Sequence, residues 1–230
     1  MGFAELPVPV RKYSHWRVLL RPGVYAEERI TTLKECWAVV EQNRVRLRGW
    51  DYPHVSSEDS ERAHGPNWVA SWSDFMERYE YWRLFQSGQF VQLFSVREAT
   101  ETAWREKLKQ LTKGHLGYLK DVDLDGIPGH VHITNFLYSM TEIFEFAARL
   151  CQKGLYEGSL EVGVQLQGVK GFVLMTDWDR AWHSYYPASE DTIGRTWKLK
   201  ADDLVADSSA RSLEAILWFF ERFWLDGPCC

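Results

Sequence analysis

Two aromatic, alternating runs, Tyr79 to Gln86 and Gln89 to Val96, stand on either side of Ser87-Gly88. A two-residue turn containing Gly between such runs closes a β-hairpin, because Gly takes the positive φ that hairpin turns demand. Antiparallel pairing is therefore built into the middle of the chain. Other segments follow suit. His15 to Leu20 is β-rich and is stopped by Arg21-Pro22-Gly23. Arg44 to Trp50 sets Val45, Leu47 and Gly49 against Arg44, Arg46 and Arg48, the pattern of a half-buried strand with a basic outer face. Leu160 to Leu166 and Gly171 to Thr176 read as a second hairpin across Gln167-Gly168-Val169-Lys170, and Arg195 to Lys200 as a further strand.

Helical spacing intervenes between these runs. Thr31 or Thr32 can cap a helix reaching about Asn43, with Ile30, Leu33, Trp37 and Val40 on one face. Phe136, Met140, Ile143, Phe144, Ala147, Leu150 and Cys151 follow a 3.6-residue period from a cap at Thr134 or Asn135, after a short strand over Val131 to Thr134. Thr100 to Leu111 reads as a charged amphipathic helix. Ser209 to Leu225 reads as a closing helix with Leu213, Ile216, Leu217, Phe220 and Trp224 on its apolar face. Strands that come as hairpins, not in regular alternation with helices, predict an α+β fold. Antiparallel hairpins pack with three to four helices in one compact domain over 1–230, in which 1–115 and 116–230 can form two similar lobes. Val55 to Gly65 is polar and loop-like.

The 230 residues are 45% hydrophobic and 26% charged, which excludes a disordered, collagenous or coiled-coil chain. No apolar run approaches the length of a membrane span, and the expected setting is soluble and cytoplasmic. The net charge of −5 divides into +2 over 1–115 and −7 over 116–230. Without a basic stripe, duplex nucleic acid is disfavoured as a general ligand. Cys36 and Cys151 sit in helical patterns, Cys229-Cys230 in an acidic tail, and no C-x-x-C pair points to a thiolate zinc site.

Three constellations carry candidate chemistry. Asp121-Val122-Asp123-Leu124-Asp125-Gly126 matches the first half of an EF-hand loop, but His132 stands where the bidentate Glu belongs. His130 and His132, two apart, can face one side of a strand and chelate a divalent metal with Asp123 or Asp125, the arrangement of metal-assisted hydrolysis. Arg48-Gly49-Trp50-Asp51-Tyr52-Pro53-His54 gathers an Arg, an Asp and a His at a strand exit, where they can bind an anion or move a proton. Turn chemistry and packed aromatics explain that segment equally well. The chain also holds 12 tryptophans. Trp37, Trp218 and Trp224 fall on core stripes, whereas Trp68 and Trp72 lie in an irregular stretch suited to an exposed surface. Exposed Trp and Arg concentrate at protein interfaces and at platforms for single-stranded bases. No nucleophile elbow, phosphate-cradling loop or zinc-protease helix is present.

Leu47-Arg48-Gly49-Trp50-Asp51-Tyr52-Pro53-His54, Tyr81-Trp82-Arg83-Leu84-Phe85-Gln86-Ser87-Gly88-Gln89-Phe90 and Thr141-Glu142-Ile143-Phe144-Glu145-Phe146 carry a resemblance that covers about residues 15–175. They resemble uncharacterised bacterial proteins in which such a region accompanies a Schlafen-like, Alba-type nucleic-acid-binding module. The resemblance implies a bacterial cytoplasmic accessory protein of an antiviral defence system, working with an ATPase or nuclease subunit, and it transfers no catalytic residue. The leading expectation is thus a non-catalytic subunit that binds a partner protein, or a second copy of itself, through Arg46, Arg48, Trp50, Asp51, His54, Trp68, Trp72 and Arg83. A divalent-metal hydrolase or nuclease built on His130 and His132 is one alternative. Single-strand nucleic-acid binding through Arg46, Arg48, Trp50 and Arg83 is the other.

Overall fold

A computed structural model describes residues 6–100, 126–175 and 187–224. Nine strands run in chain order: β1 (His15–Pro22), β2 (Arg62–His64), β3 (Trp68–Ser73), β4 (Glu80–Phe85), β5 (Phe90–Ser95), β6 (His130–His132), β7 (Ser159–Gln167), β8 (Val173–Met175) and β9 (Thr192–Lys200). The helices are α1 (Leu33–Asn43), the single turn α2 (Arg97–Thr100), α3 (Ile133–Gln152), α4 (Ala201–Ala206) and α5 (Ser208–Trp224). Seven strands form one antiparallel sheet in the order β2-β3-β4-β5-β1-β7-β9. β1 lies inside it, bonded along one edge to β5 and along the other to β7, so strands from both halves of the chain share the sheet. The α+β class with antiparallel strands is thereby established.

The sheet alternates by strand parity. Trp16, Val18 and Leu20 of β1, Trp82 and Leu84 of β4, and Phe90 of β5 point inward to the core under α1, α3 and α5. Tyr81, Val91 and Leu93 point outward, where Val8 and Val10 cover part of the outer face. The β4–β5 hairpin forms as the Ser87-Gly88 turn requires, with Gly88 at φ 84°. α1 starts at a capping box: the Thr32 hydroxyl accepts from the Glu35 N–H, and the Glu35 carboxylate accepts from the Thr32 N–H. α3 buries Phe136, Met140, Ile143 and Phe144, as its period demands. It begins earlier than expected, with His132 as N-cap, because β6 ends there.

Four local expectations are corrected. Arg44 to Trp50 is no strand: one bridge, Val45 to Tyr52, closes a loop that turns at Gly49, φ 80°. The alternation there reflects arginines tied to acids, Arg44 and Arg46 to Asp51 and Arg48 to Glu142. β7 and β8 form no hairpin, because both edges of β7 are taken, by β1 and by β9. Gly168 and Gly171, both at positive φ, carry the chain away, and β8 pairs in parallel with β6. Trp68 and Trp72 belong to strand β3, whose small Ala70 and Ser71 hid its signal. On α5 the buried face is Ser212, Ala215, Ile216, Phe219 and Phe223, while Leu213 and Leu217 are 52% and 55% exposed. Ala215 lets α5 approach the helical layer closely, which a stripe centred on Leu213 and Leu217 cannot do. The side chain of Trp224, nearly all of the expected Thr100–Leu111 helix and Cys229-Cys230 lie outside the described residues. Among the described residues no helix is long and apolar enough to cross a membrane.

The choice of face on α5 is measurable. Phe219 contacts the rings of Trp16 and Phe136. Phe219→Ala is expected to cost about 3–5 kcal/mol in urea denaturation, and Leu213→Lys less than about 0.5 kcal/mol.

Candidate functional site

The described residues enclose a cavity of about 260 Å³ between the inner sheet face and the first turns of α3. Its sheet wall is Trp16, Glu80 and Phe94, and its helix wall is Val131, Asn135, Phe136, Ser139 and Glu142. The loop from Arg48 to Tyr52 and the segments Arg78–Tyr79 and Ser95–Glu98 complete it. Of the residues singled out from the sequence, Arg48, Trp50 and Asp51 line this cavity, and His54 stacks on Trp50 with ring centroids 4.2 Å apart. The opposite ring neighbour of Trp50 is Phe75, at 5.6 Å, and the Arg78 guanidinium lies 5.9 Å from the Trp50 ring centre.

Arg48 pins the loop to α3. Its Nη2 donates to Glu142 Oε2 at 2.8 Å and to Ser139 Oγ at 3.1 Å, and its Nε donates to Glu142 Oε1 at 3.2 Å. Its guanidinium also lies 5.7 Å from the centre of the Tyr138 ring. Glu142 is 1% exposed. Burial pushes its carboxyl above the usual range and Arg48 holds it partly down. The two-pronged geometry is what a guanidinium provides and an ammonium does not.

Glu80 has no such partner. Burial raises its carboxyl from 4.5 to about 7, against hydrogen bonds from the His54 backbone, the Gln92 amide and the Trp50 side chain, with Glu142 repelling the charged form further. The His54 N–H donates to Glu80 Oε1 at 2.8 Å and Gln92 Nε2 at 2.7 Å, and no cation pairs with this carboxyl among the described residues. Beside it the Tyr52 side chain is 5% exposed, and its hydroxyl meets no hydrogen-bond partner among the described residues. Burial raises the Tyr52 phenol well above its ordinary value, and Glu80 and Glu142 add to the rise. Gln92 Oε1 and His54 Nδ1 are likewise buried without partners. Burial lowers the His54 imidazole, and Trp82 Nε1 fixes the residue by donating to the His54 carbonyl at 2.6 Å. Unsatisfied buried polar atoms are rare in folded proteins, and here three belong to the residues around one carboxyl.

The other candidates lie elsewhere. Arg46 is exposed and pairs with Asp51, which Arg44 also holds, so Asp51 braces the loop. Arg83 stacks 4.0 Å over the Trp68 ring on the outer sheet face, where Trp72 is also half-buried, on the side of the sheet away from the cavity. His130 is buried in β6, its imidazole pushed down to about 4 by burial and by His132. Asp123 and Asp125 lie outside the described residues. Among the described residues no three His, Cys, Asp or Glu side chains group to hold a metal ion.

Sequence reasoning missed Glu80, Tyr52, Ser139 and Glu142 as site residues. Two signals were available. Glu80 shares strand parity with Trp82 and Leu84, and Glu142 shares a helix face with Ser139 and Phe146, so each puts a carboxyl where an apolar side chain belongs.

Glu80 makes stability depend on pH. Its unfolded carboxyl titrates near 4.5 and its folded one near 7, so the folded chain holds an extra proton between these values. That contribution is complete below about pH 4.5 and is lost as pH rises through 7, about 3 kcal/mol in all. Glu80→Gln abolishes it, so urea denaturation at pH 4.5 and 7.5 is expected to show the wild type losing about 3 kcal/mol more than the variant. His54 acts in the opposite sense in both proteins and cancels from the difference. Equal losses refute the assignment.

Compared with known protein families, with curated proteins and with solved structures, the chain matches none.

Proposed function

We propose that this chain is a small-ligand-binding protein whose functional centre is the cavity between the sheet and α3. The observation that carries the reading is the Tyr52 hydroxyl, buried at the cavity wall beside Glu80 and without a partner among the described residues. Leaving such a group unsatisfied costs about 1–3 kcal/mol, a cost that a stability role does not explain and that marks the surroundings of Glu80 as functional. Aromatic and apolar walls around a few convergent polar groups are the usual composition of a ligand site. Binding is the mode proposed, and the described cysteines add no reactive thiolate to it. The described cysteines are buried and their thiols are pushed up to about 11 at Cys36 and about 12 at Cys151, which leaves them unreactive.

A second reading, docking of a partner protein, draws on the outer sheet face. There Arg83 lies over Trp68 and within 5.8 Å of the ring centres of both Tyr81 and Phe85. Arg and Trp of this kind anchor protein interfaces. Such a partner, an ATPase or nuclease subunit included, is compatible with the ligand site because the two lie on opposite faces of the sheet.

Tyr52→Phe tests the primary reading before any ligand is known. Removing an unsatisfied hydroxyl is expected to leave the ligand-free protein as stable as the wild type or up to about 2 kcal/mol more stable. A loss above about 1 kcal/mol shows that the hydroxyl is structurally bonded and overturns the assignment.

The Arg48 pin is tested separately. Arg48→Met leaves Glu142 buried and alone, which is expected to cost about 3–5 kcal/mol. Adding Glu142→Leu is expected to recover most of that loss in a double-mutant cycle.

A further inference from the structure

We propose that the cavity recognises an organic cation, a primary ammonium or guanidinium on a short apolar stem, held by the Glu80 carboxylate among the aromatic rings of the lining. The inference rests on the cavity being the ligand site and adds the class of ligand.

The charge pairing around the cavity singles out Glu80. Glu142 is neutralised by Arg48, and Asp51 by Arg44 and Arg46. Glu98 accepts from Asn135 Nδ2 at 2.6 Å. Arg78 lies over Trp50. Arg97 and Glu98 lie together in the α2 turn on the cavity wall. Glu80 is the buried acid to which no described cation is paired, and Glu142 repels it from α3. A ligand carrying positive charge gives the Glu80 carboxylate a counter-charge.

The kind of cation follows from the walls. A metal ion needs several hard or imidazole ligands together, and the described residues group no such trio. Trp16, Trp50, Phe94 and Tyr138 instead line the space with aromatic rings. Ring faces attract organic cations and accept their apolar stems. The Glu80 carboxylate on the cavity wall can accept ammonium N–H groups beside these rings. The volume of about 260 Å³ suits a short alkyl cation or a single long side chain, below the size of a typical drug pocket. The shared chemistry has two sources, a free amine or a Lys or Arg side chain offered by another protein.

Recognition by a carboxylate makes binding proton-linked. The groups facing Glu80 are Arg48, Asp51, Tyr52 and His54 of the loop, Glu142 of α3, Arg78 and Tyr79 ahead of β4, and Arg97 and Glu98 after β5. Of these, burial lowers the His54 imidazole and raises the Tyr52 phenol, and the Glu80→Gln comparison isolates the share of the pH dependence that belongs to Glu80.

The experiment titrates the isotope-labelled full chain with n-butylammonium, butyrate and n-butanol, followed by NMR of the Trp50 indole and the Tyr52, Glu80 and Ser139 amides. n-Butylammonium is expected to bind at pH 8.5 and to weaken roughly thirtyfold at pH 5.5, the fall in the ionised fraction of a group titrating at about 7. Glu80→Gln is expected to remove this pH dependence and at least tenfold of the affinity. Leu213→Lys, on the exposed face of α5, is expected to change nothing. A blocked lysine amide distinguishes the sources: tighter binding than n-butylammonium supports a protein side chain, weaker binding a free amine, and both support the cation. If butyrate or n-butanol binds these resonances better than n-butylammonium, the cation is wrong and the ligand site stands. If none of the probes shifts them, the ligand site falls as well.

Discussion

The pairing of Arg48 with Glu142 fixes how the loop after α1 meets the helical layer. A carboxylate as buried as Glu142 is tolerable only with a guanidinium brought to it, and the chain delivers one from a loop 94 residues away in sequence. Through that contact the Arg48–Tyr52 wall stands off the sheet, and the space between them is the cavity. Asp51 completes the brace by gathering Arg44 and Arg46, so three arginines that look like a basic surface are bound to acids of their own chain. The basic outer face read from the Arg44–Trp50 alternation is correspondingly weaker as a phosphate contact.

The sheet divides the molecule into two chemistries. Its inner face joins the large aromatic core to the polar cavity at one end. Its outer face carries cation–ring stacking around Arg83, with Val8 and Val10 laid across part of it. Alternation along β4 performs this division residue by residue: Glu80, Trp82 and Leu84 go one way, Tyr81, Arg83 and Phe85 the other.

Elements with strong local codes were legible in the sequence. The Ser87-Gly88 hairpin, the capped helix after Thr32 and the long amphipathic helix through Phe136 follow from turn, cap and period chemistry alone. Pairing partners were not legible. β7 reads as half of a hairpin because its neighbour in sequence is strand-like, yet its partners are fixed by long-range competition in which β1 and β9 take its two edges. The α5 face failed for a related reason: two apolar stripes were available, and the neighbour of α5 chose between them. The site was half legible. Arg48, Trp50, Asp51 and His54 were singled out as polar residues in one loop, but Glu80 and Glu142 needed their inward parity to be weighed as a violation of the apolar pattern. That violation points to the proposed site more sharply than any motif in the chain.

β9 closes the described sheet with nine residues, and its burial pattern shows most of them open to solvent. Among the described residues no strand pairs with its far edge, and an edge of this length invites pairing with a like chain. Arg195, Lys198 and Lys200 answer it, since a second copy of the same ribbon laid alongside brings cation against cation. Cations at a sheet edge disfavour such pairing, and these three stand apart from the lining of the cavity.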